Sequence, residues 1–208
     1  VQTCALPIST VLQHRDYSVE LGANFTKVHN FVKSLAPGVE SIMLGGFVQP
    51  QVRAQAGYTY PNIYGLAFQR ADNGELLLNN GLPQPTNDSE NLGECSPNFN
   101  MGFNLSANYK RLSLTATLDW QDGGKMYNGT LLTMNYFGAT KESLPYHEGT
   151  MVAKGIDQAT GLENTVQVSK QKYFQAYNNV TEAGIYDTSY LKLRDITLSY
   201  KLPKFAGI

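Results

Sequence analysis

The chain has 208 residues, 16% of them charged, and a net charge of −1 at pH 7. That balance gives no basic footprint for nucleic acid and no acidic tail. No apolar run approaches the roughly 18 residues that a membrane-spanning helix needs, while 13 Tyr, 9 Phe and 19 Gly point to strands joined by many turns.

Residues 1–8, from Val1 to Ile8, match the translation of a common sequencing adapter. They are expected to be non-native, which makes the chain a gene fragment cut at its start, and they are set aside from the fold. Cys4 goes with them. Cys95, alone in a Pro- and Asn-rich loop, supports neither a disulfide framework nor a metal site.

From Tyr17 the chain alternates. Tyr17, Val19, Leu21, Ala23 and Phe25 are apolar, and Ser18, Glu20, Gly22 and Asn24 between them are not. This predicts a strand over 17–29. A less regular strand is expected over 39–48, after a short link carrying the turn dipeptide Pro37-Gly38. A long polar region, 48–97, follows. Within it a small hairpin is expected over Asp72-Asn73-Gly74, between 63–70 and 75–79.

The next two strands, 99–109 and 112–122, carry the clearest signal. Phe99, Met101, Phe103, Leu105, Ala107 and Tyr109 alternate with Asn, Gly and Ser, and after Lys110-Arg111 the even residues Leu112 to Trp120 alternate as strictly. The wet face is small and neutral, with Asn100, Asn104, Asn108, Thr115 and Thr117, and the apolar rows end in Phe99, Tyr109 and Trp120. Segments of about ten residues with an aromatic-edged apolar face and a polar second face are the pattern of transmembrane β-strands. Met101, Phe103, Leu105, Leu114, Ala116 and Leu118 are therefore expected on one outer face, unusually exposed for apolar side chains.

A second long region, 121–188, is expected to hold two short helices, near 126–137 and 169–177. The last strand, 188–201, changes phase: Leu191 and Leu193 are odd, whereas Ile196, Leu198 and Tyr200 are even. A β-bulge at Arg194-Asp195 would restore one apolar face and put Lys192, Arg194 and Asp195 on the other. The connections are then short, long, short and long. An up-and-down outer-membrane barrel has this alternation, with short periplasmic turns and long outside loops. On that reading strand 112–122 runs outward and the long regions stand outside the cell.

Several phrases taken together resemble SusC/RagA-type TonB-dependent outer-membrane transporters. They are Asn62-Ile-Tyr-Gly65 with Gly74-Glu-Leu-Leu77, Leu92 to Phe99, Asp119 to Thr130, and Tyr186 to Pro203. The resemblance covers most of the chain from Asp16 onward. It implies an all-β fold: a partial antiparallel up-and-down transmembrane β-barrel sheet, about five strands of a plugged barrel of roughly 22, with long extracellular loops carrying short helices. It also implies an outer-membrane location and no enzymatic activity. The implied partners are a SusD-like surface lipoprotein, TonB, outer-membrane lipid, and an oligosaccharide or peptide to import. Nothing in the chain resembles the TonB box, the plug or the final barrel strands. The expected domain is thus a partial barrel over 9–208, and TonB would act through an N-terminal part not in this sequence.

No cofactor, catalytic residue or metal ligand is expected. His14, His29 and His147 lack metal-ligand spacing. Asp119 and Asp122 flank Trp120 and are read as rim carboxylates, not an acid–base pair. Tyr127, Asn128, Tyr136 and Tyr146 are the candidates for facing substrate or partner, since aromatic faces bind sugar and peptide surfaces. Phe137 belongs with them as a stacking residue. Two other readings compete. A secreted, soluble carbohydrate-binding β-sandwich would pack its apolar rows in two facing layers. A β-rich glycosidase would need two carboxylates about 5–9.5 Å apart.

Overall fold

The computed structural model describes residues 2–46 and 48–203. It divides into two compact units, one built from 2–30, 96–124 and 188–203, the other from 31–95 (Phe47 aside) and 125–187.

The first unit is one open antiparallel sheet. Tyr17–Val28, Phe99–Tyr109, Leu112–Asp122 and Tyr190–Tyr200 lie side by side in that order, and Gln2–Ala5 and Ile8–Gln13 together flank Tyr17–Val28. The period-2 pattern sets the register. Met101 stands opposite Phe25 and Trp120, Leu105 opposite Leu21 and Ala116, and Tyr109 opposite Tyr17 and Leu112. A slip by one residue would turn every apolar side chain to the wet face. That wet face is knitted by its own amides and hydroxyls: Asn108 donates to Ser18 Oγ at 3.2 Å, Ser113 donates to Asn108 at 2.7 Å, and the Gly102 amide donates to Asn24 Oδ1 at 3.0 Å.

Aromatic rings edge the apolar face at both ends. Phe25, Phe99 and Trp120 cluster at one end, with centroids 5.8 and 5.0 Å apart, and Tyr17, Tyr109 and Tyr200 align at the other. Ten residue steps separate Phe99 from Tyr109. At about 3.4 Å per residue and a tilt near 45° they span roughly 24 Å. This matches the apolar height of an outer-membrane barrel, about 25 Å.

The bulge forms. Thr117 faces Asp195 and Leu118 faces Leu193, so Arg194 is the extra residue. It keeps Leu191, Leu193, Ile196 and Leu198 on one face, while Arg194 pairs with Asp119 on the other. Deleting Arg194 is therefore expected to be tolerated. Asp195 would follow Leu193 in an unbroken alternation, with every side chain on its present face. Heat-modifiable mobility of the assembled barrel on gels is the check; its loss would show that the bulge does more than correct the phase.

None of the six residues expected on the outer face is buried, and none is as exposed as a free surface residue; neighbouring rows of the sheet half-cover them. The strongly exposed apolar row is on the edge strand, where Leu191, Leu193, Ile196 and Leu198 are 59–67% exposed. No buried apolar side chain of the described residues lies in the sheet: Ala54, Ile63, Tyr64, Ala67, Phe68, Leu78, Leu132, Ala153 and Val180 all belong to the second unit. The sheet has no interior of its own.

Two expectations need correction. The strand expected over 39–48 is Ser41–Gly46 among the described residues, with Phe47 outside them, and it is not in this sheet. It pairs with Gln51–Gln55 in a separate sheet that continues through Asn62–Gly65 and Glu90–Glu94. Tyr17–Val28 consequently pairs directly with Phe99–Tyr109 and runs opposite to the direction expected. The alternation of connections survives with other members, because the short link before Tyr17 replaces the one at Pro37-Gly38. The hairpin over Asp72-Asn73-Gly74 forms near its turn, where Gly74 donates to Ala71 at 2.8 Å, Ala71 to Glu75 and Leu77 to Gln69 at 2.9 Å each, and Arg70 stands opposite Leu76; farther out, Asn62–Gly65 and Leu77–Asn79 pair with other strands.

The segment set aside as non-native is drawn onto the sheet edge. Its phase there is mixed: Ala5 faces Phe25 in the apolar row, but Ile8 faces Gly22 in the polar row, and the following Ser9 faces Leu21 in the apolar row. From Thr10 onward the phase agrees, with Leu12 opposite Val19 and Gln13 opposite Ser18.

The second unit is formed by both long regions together. Leu77–Asn79 runs parallel to Ile156–Asp157, and Glu182 Oε2 accepts from the Phe68 amide at 2.7 Å across 114 residues. Gln49 Oε1 accepts from the Leu66 amide at 2.8 Å and from Thr181 at 3.4 Å. The strand ends where these insertions leave and rejoin the sheet, Val28, Phe99, Asp122 and Tyr190, all lie at its one end.

Candidate functional site

The helix Gly129–Tyr136 is the centre of the candidate site. Asn128 caps it, accepting from the Leu131 amide at 3.0 Å. Phe137 and Gly138 end it, Gly138 at φ +73° with its amide on Asn135 at 3.0 Å. The helix mixes Leu131, Leu132, Met134 and Tyr136 with Thr130, Thr133 and Asn135, and only Leu132 and Asn135 are buried. Met134, Tyr136 and Phe137 are exposed, Phe137 at 74%. Asn135 donates to Asn178 Oδ1 at 3.2 Å and accepts from Thr140 at 2.6 Å, joining the helix to Lys170–Tyr177.

Two hollows flank Tyr136. One, of about 590 Å³, is lined by Tyr127, Leu132, Tyr136 and Phe137 with Gln49 and Asn179. The other, of about 240 Å³, lies between Tyr136, Phe137, Tyr146 and His147. Tyr127 is wedged between two glycines: a Cβ on Gly129 or Gly184 would come within 2.8 or 2.7 Å of its ring. Tyr146 stacks on Phe174 with centroids 4.4 Å apart and planes 11° from parallel. Tyr136 meets Phe137 edge-on at 5.2 Å. The larger hollow thus combines aromatic faces with amides and hydroxyls, a mix suited to a ligand with apolar faces and hydrogen-bonding edges.

The six residues singled out from the sequence fall in two groups. Tyr127, Tyr136 and Tyr146 line the hollows, and Asn128 is engaged as the helix cap. Asp119 and Asp122 lie in the sheet. Asp119 accepts from Arg194 Nε at 2.9 Å and from the Tyr190 hydroxyl at 3.0 Å, and Asp122 accepts from Asn98 at 2.9 Å. Gln49, Asn178 and Asn179 escaped the sequence reading. They come from distant segments, and no local pattern marks an Asn or Gln that meets a ligand.

His147 Nε2 lies 3.1 Å from both Ser143 Oγ and the Gly138 carbonyl. A carbonyl only accepts, so Nε2 carries the proton and cannot act as a base toward Ser143, whose hydroxyl donates to Thr140 at 2.7 Å. Among the described residues no group of three or more His, Cys, Asp or Glu is placed to hold a metal ion.

Burial raises the Tyr127 phenol, and burial first, with Tyr177 and Tyr146 adding, raises Tyr173. Tyr177 rises by burial and then through Glu182. A phenol raised in the folded state stabilises folding below its unfolded pKa of about 10 and withdraws that support as pH climbs through the folded value. The insertion unit is expected to weaken above about pH 10, with tyrosinate absorbance rising together with loss of structure. Ionisation of all tyrosines before any unfolding would contradict this.

No protein-family model matches the chain. It is 24% identical, over 217 residues, to "TonB-dependent receptor P3" of Formosa agariphila (strain DSM 15362 / KCTC 12365 / LMG 23005 / KMM 3901 / M-2Alg 35-1), an alignment covering 93% of this chain and 20% of the relative. Its fold matches two structures of the RagAB peptide importer. For the open-open state the TM-score is 0.59 at 20% identity, covering 97% of this chain and 22% of that one. For the closed-closed state it is 0.60 at 18%, covering 100% and 24%. The chain spans about a fifth of the curated relative's length. The chain is thus similar in sequence to a TonB-dependent receptor and in fold to the RagAB importer, and the sheet has the fold of a section of such an outer-membrane β-barrel.

Proposed function

We propose that the chain is part of an outer-membrane, TonB-dependent importer, that residues 31–95 and 125–187 stand on the outer side, and that their aromatic hollows meet substrate or lid. One observation carries this reading: a sheet without a buried core, its apolar face edged at both ends by aromatics about 24 Å apart, as lipid requires. A soluble sandwich would bury that face beneath a second layer. The imported compound is an oligosaccharide or a peptide, delivered with a SusD-like surface lipoprotein. TonB acts through a part of the parent protein outside this chain. Enzymatic activity has no place in this reading. Residues 1–8 are non-native, a reading supported by their match to a translated sequencing adapter.

Two experiments test it in the full-length parent. Thr130→Cys, at an exposed helix position, should label in intact cells with a membrane-impermeant reagent. Protection that persists after the lipoprotein is deleted, with labelling in unfolded protein, would reverse the orientation. Tyr136→Ala should lower uptake about 2- to 12-fold, the worth of one aromatic contact of roughly 0.5–1.5 kcal/mol, with the barrel assembled. Unchanged uptake would return Tyr136 to packing alone.

A further inference from the structure

The sheet end at which Tyr17, Tyr109 and Tyr200 align carries four cations, Arg15, Lys110, Arg111 and Lys201. The backbone brings them together. The Lys110 amide donates to the Asp16 carbonyl at 2.7 Å, and the Lys201 amide donates to the Arg111 carbonyl at 2.8 Å. All four side chains are exposed, and none forms an ion pair with a carboxylate among the described residues. Asp16 is the one carboxylate among 14–16, 110–111 and 201, so four cations against one anion leave a charge of +3. The next carboxylate along, Glu20, stands three residue pairs farther in, opposite Ser106 on the polar face.

The cations sit where turn chemistry does not ask for them. A two-residue hairpin turn suits Asn-Gly or Asp-Gly, which accept a positive φ. Lys110 occupies that position at φ +53°, where a longer side chain is strained. Its ammonium then lies 5.4 Å from the centroid of the Tyr109 ring. Tyr109 belongs to the apolar row, so the charge is carried to the aromatic edge of that face, the level at which headgroups lie. Arg194, by contrast, turns to the polar face and is neutralised by Asp119. Unpaired cations just past an aromatic edge attract acidic headgroups. Their place at the rim of the apolar face favours a lipid over a periplasmic protein.

We propose that this end of the sheet binds acidic glycerophospholipid, with Lys110, Arg111 and Lys201 holding the headgroup phosphates at the periplasmic leaflet. This goes beyond the importer reading and rests on the membrane orientation given there.

The test places the full-length parent in phosphatidylcholine vesicles that hold photo-crosslinkable phosphatidylglycerol or photo-crosslinkable phosphatidylcholine, with labelled peptides mapped by mass. Peptides containing Tyr17, Tyr109 or Tyr200 should take phosphatidylglycerol in preference by about fivefold, the worth of roughly 1 kcal/mol for one cation at an acidic surface. Peptides containing Phe25, Phe99 or Trp120, from the other end of the same face, are the internal reference. Lys110→Gln/Arg111→Gln/Lys201→Gln should abolish the preference. Salt at about 1 M, where the Debye length falls to roughly 3 Å, should do the same to the unaltered parent, a second measurement if the triple variant fails to assemble. Equal labelling by the two lipids, a preference unchanged in the variant or in salt, or competition by soluble glycerol phosphate or lipid A but not by unlabelled phosphatidylglycerol would overturn the assignment. Labelling by neither lipid anywhere on the apolar face would sink the membrane reading as well.

Discussion

Leu105→Arg should prevent the barrel from assembling, whereas Asn104→Arg, one residue away, should leave it intact. Leu105 sits midway between the aromatic ends of its strand, opposite Leu21 and Ala116 in the apolar row. Asn104 faces the polar side, opposite Gly22 and Thr117, and donors and acceptors surround it there. An Arg at the bilayer midplane costs roughly 2–4 kcal/mol, which is about 30- to 700-fold in the folded fraction. The two sites share a strand and its flanking strands, so propensity and expression affect both alike. The readout is the heat-modifiable gel band of the full-length protein in isolated outer membranes. Equal behaviour of the two variants would mean that the apolar face does not meet lipid.

Leu78→Ala should loosen both insertions together and spare the sheet. Leu78 is fully buried, its strand is flanked by Pro83 and by Asp157 of the other insertion, and its side chain lies 3.1 Å from where a Cβ on Gly155 would be. Emptying such a site costs about 2–5 kcal/mol. The buried core belongs to the insertion unit alone, so its loss should not reach strands that rely on lipid. Limited proteolysis in detergent, with fragments identified by mass, should show cuts in both 31–95 and 125–187 while the strand peptides stay protected. Cuts confined to 31–95 would show that the insertions do not share a core. Loss of the assembled band would show that the two units are not energetically separate.

The four central strands could be read from the chain because each carries its own evidence. In Phe99–Tyr109 every second residue reports its face, and the two-residue turn at Lys110-Arg111 leaves one partner available. The bulge was legible for the same reason: without it, Lys192 and Arg194 would share a face with Ile196 and Leu198, and Asp195 would share the other with Leu191 and Leu193. Ser41–Gly46 has five apolar or glycine residues in a row, Ile42 to Gly46, and so reports no face. Its assignment to the barrel rested on a short link alone. Its true partner, Gln51–Gln55, is polar and lies in a region that reads as loop.

The candidate site was legible only as residue types. Tyr127, Tyr136 and Tyr146 stand out because aromatics in a polar stretch need a reason. Asn128 was singled out with them, yet its side chain is spent on a helix cap, a use that depends on where the helix starts.

The sequence by itself determined the strand faces, the aromatic edges and the phase correction at Arg194, because alternation along a strand is a local property and a lipid-facing sheet has no tertiary core to modify it. Only the tertiary structure decided how 31–95 and 125–187 fold. Their core is assembled from Ile63, Phe68, Leu78, Leu132 and Val180, no two of them in one periodic run, and their hydrogen bonds join Glu182 to Phe68 and Gln49 to Thr181. Contacts closed over more than a hundred residues leave no trace in local pattern, since their energy appears only when both ends are in place.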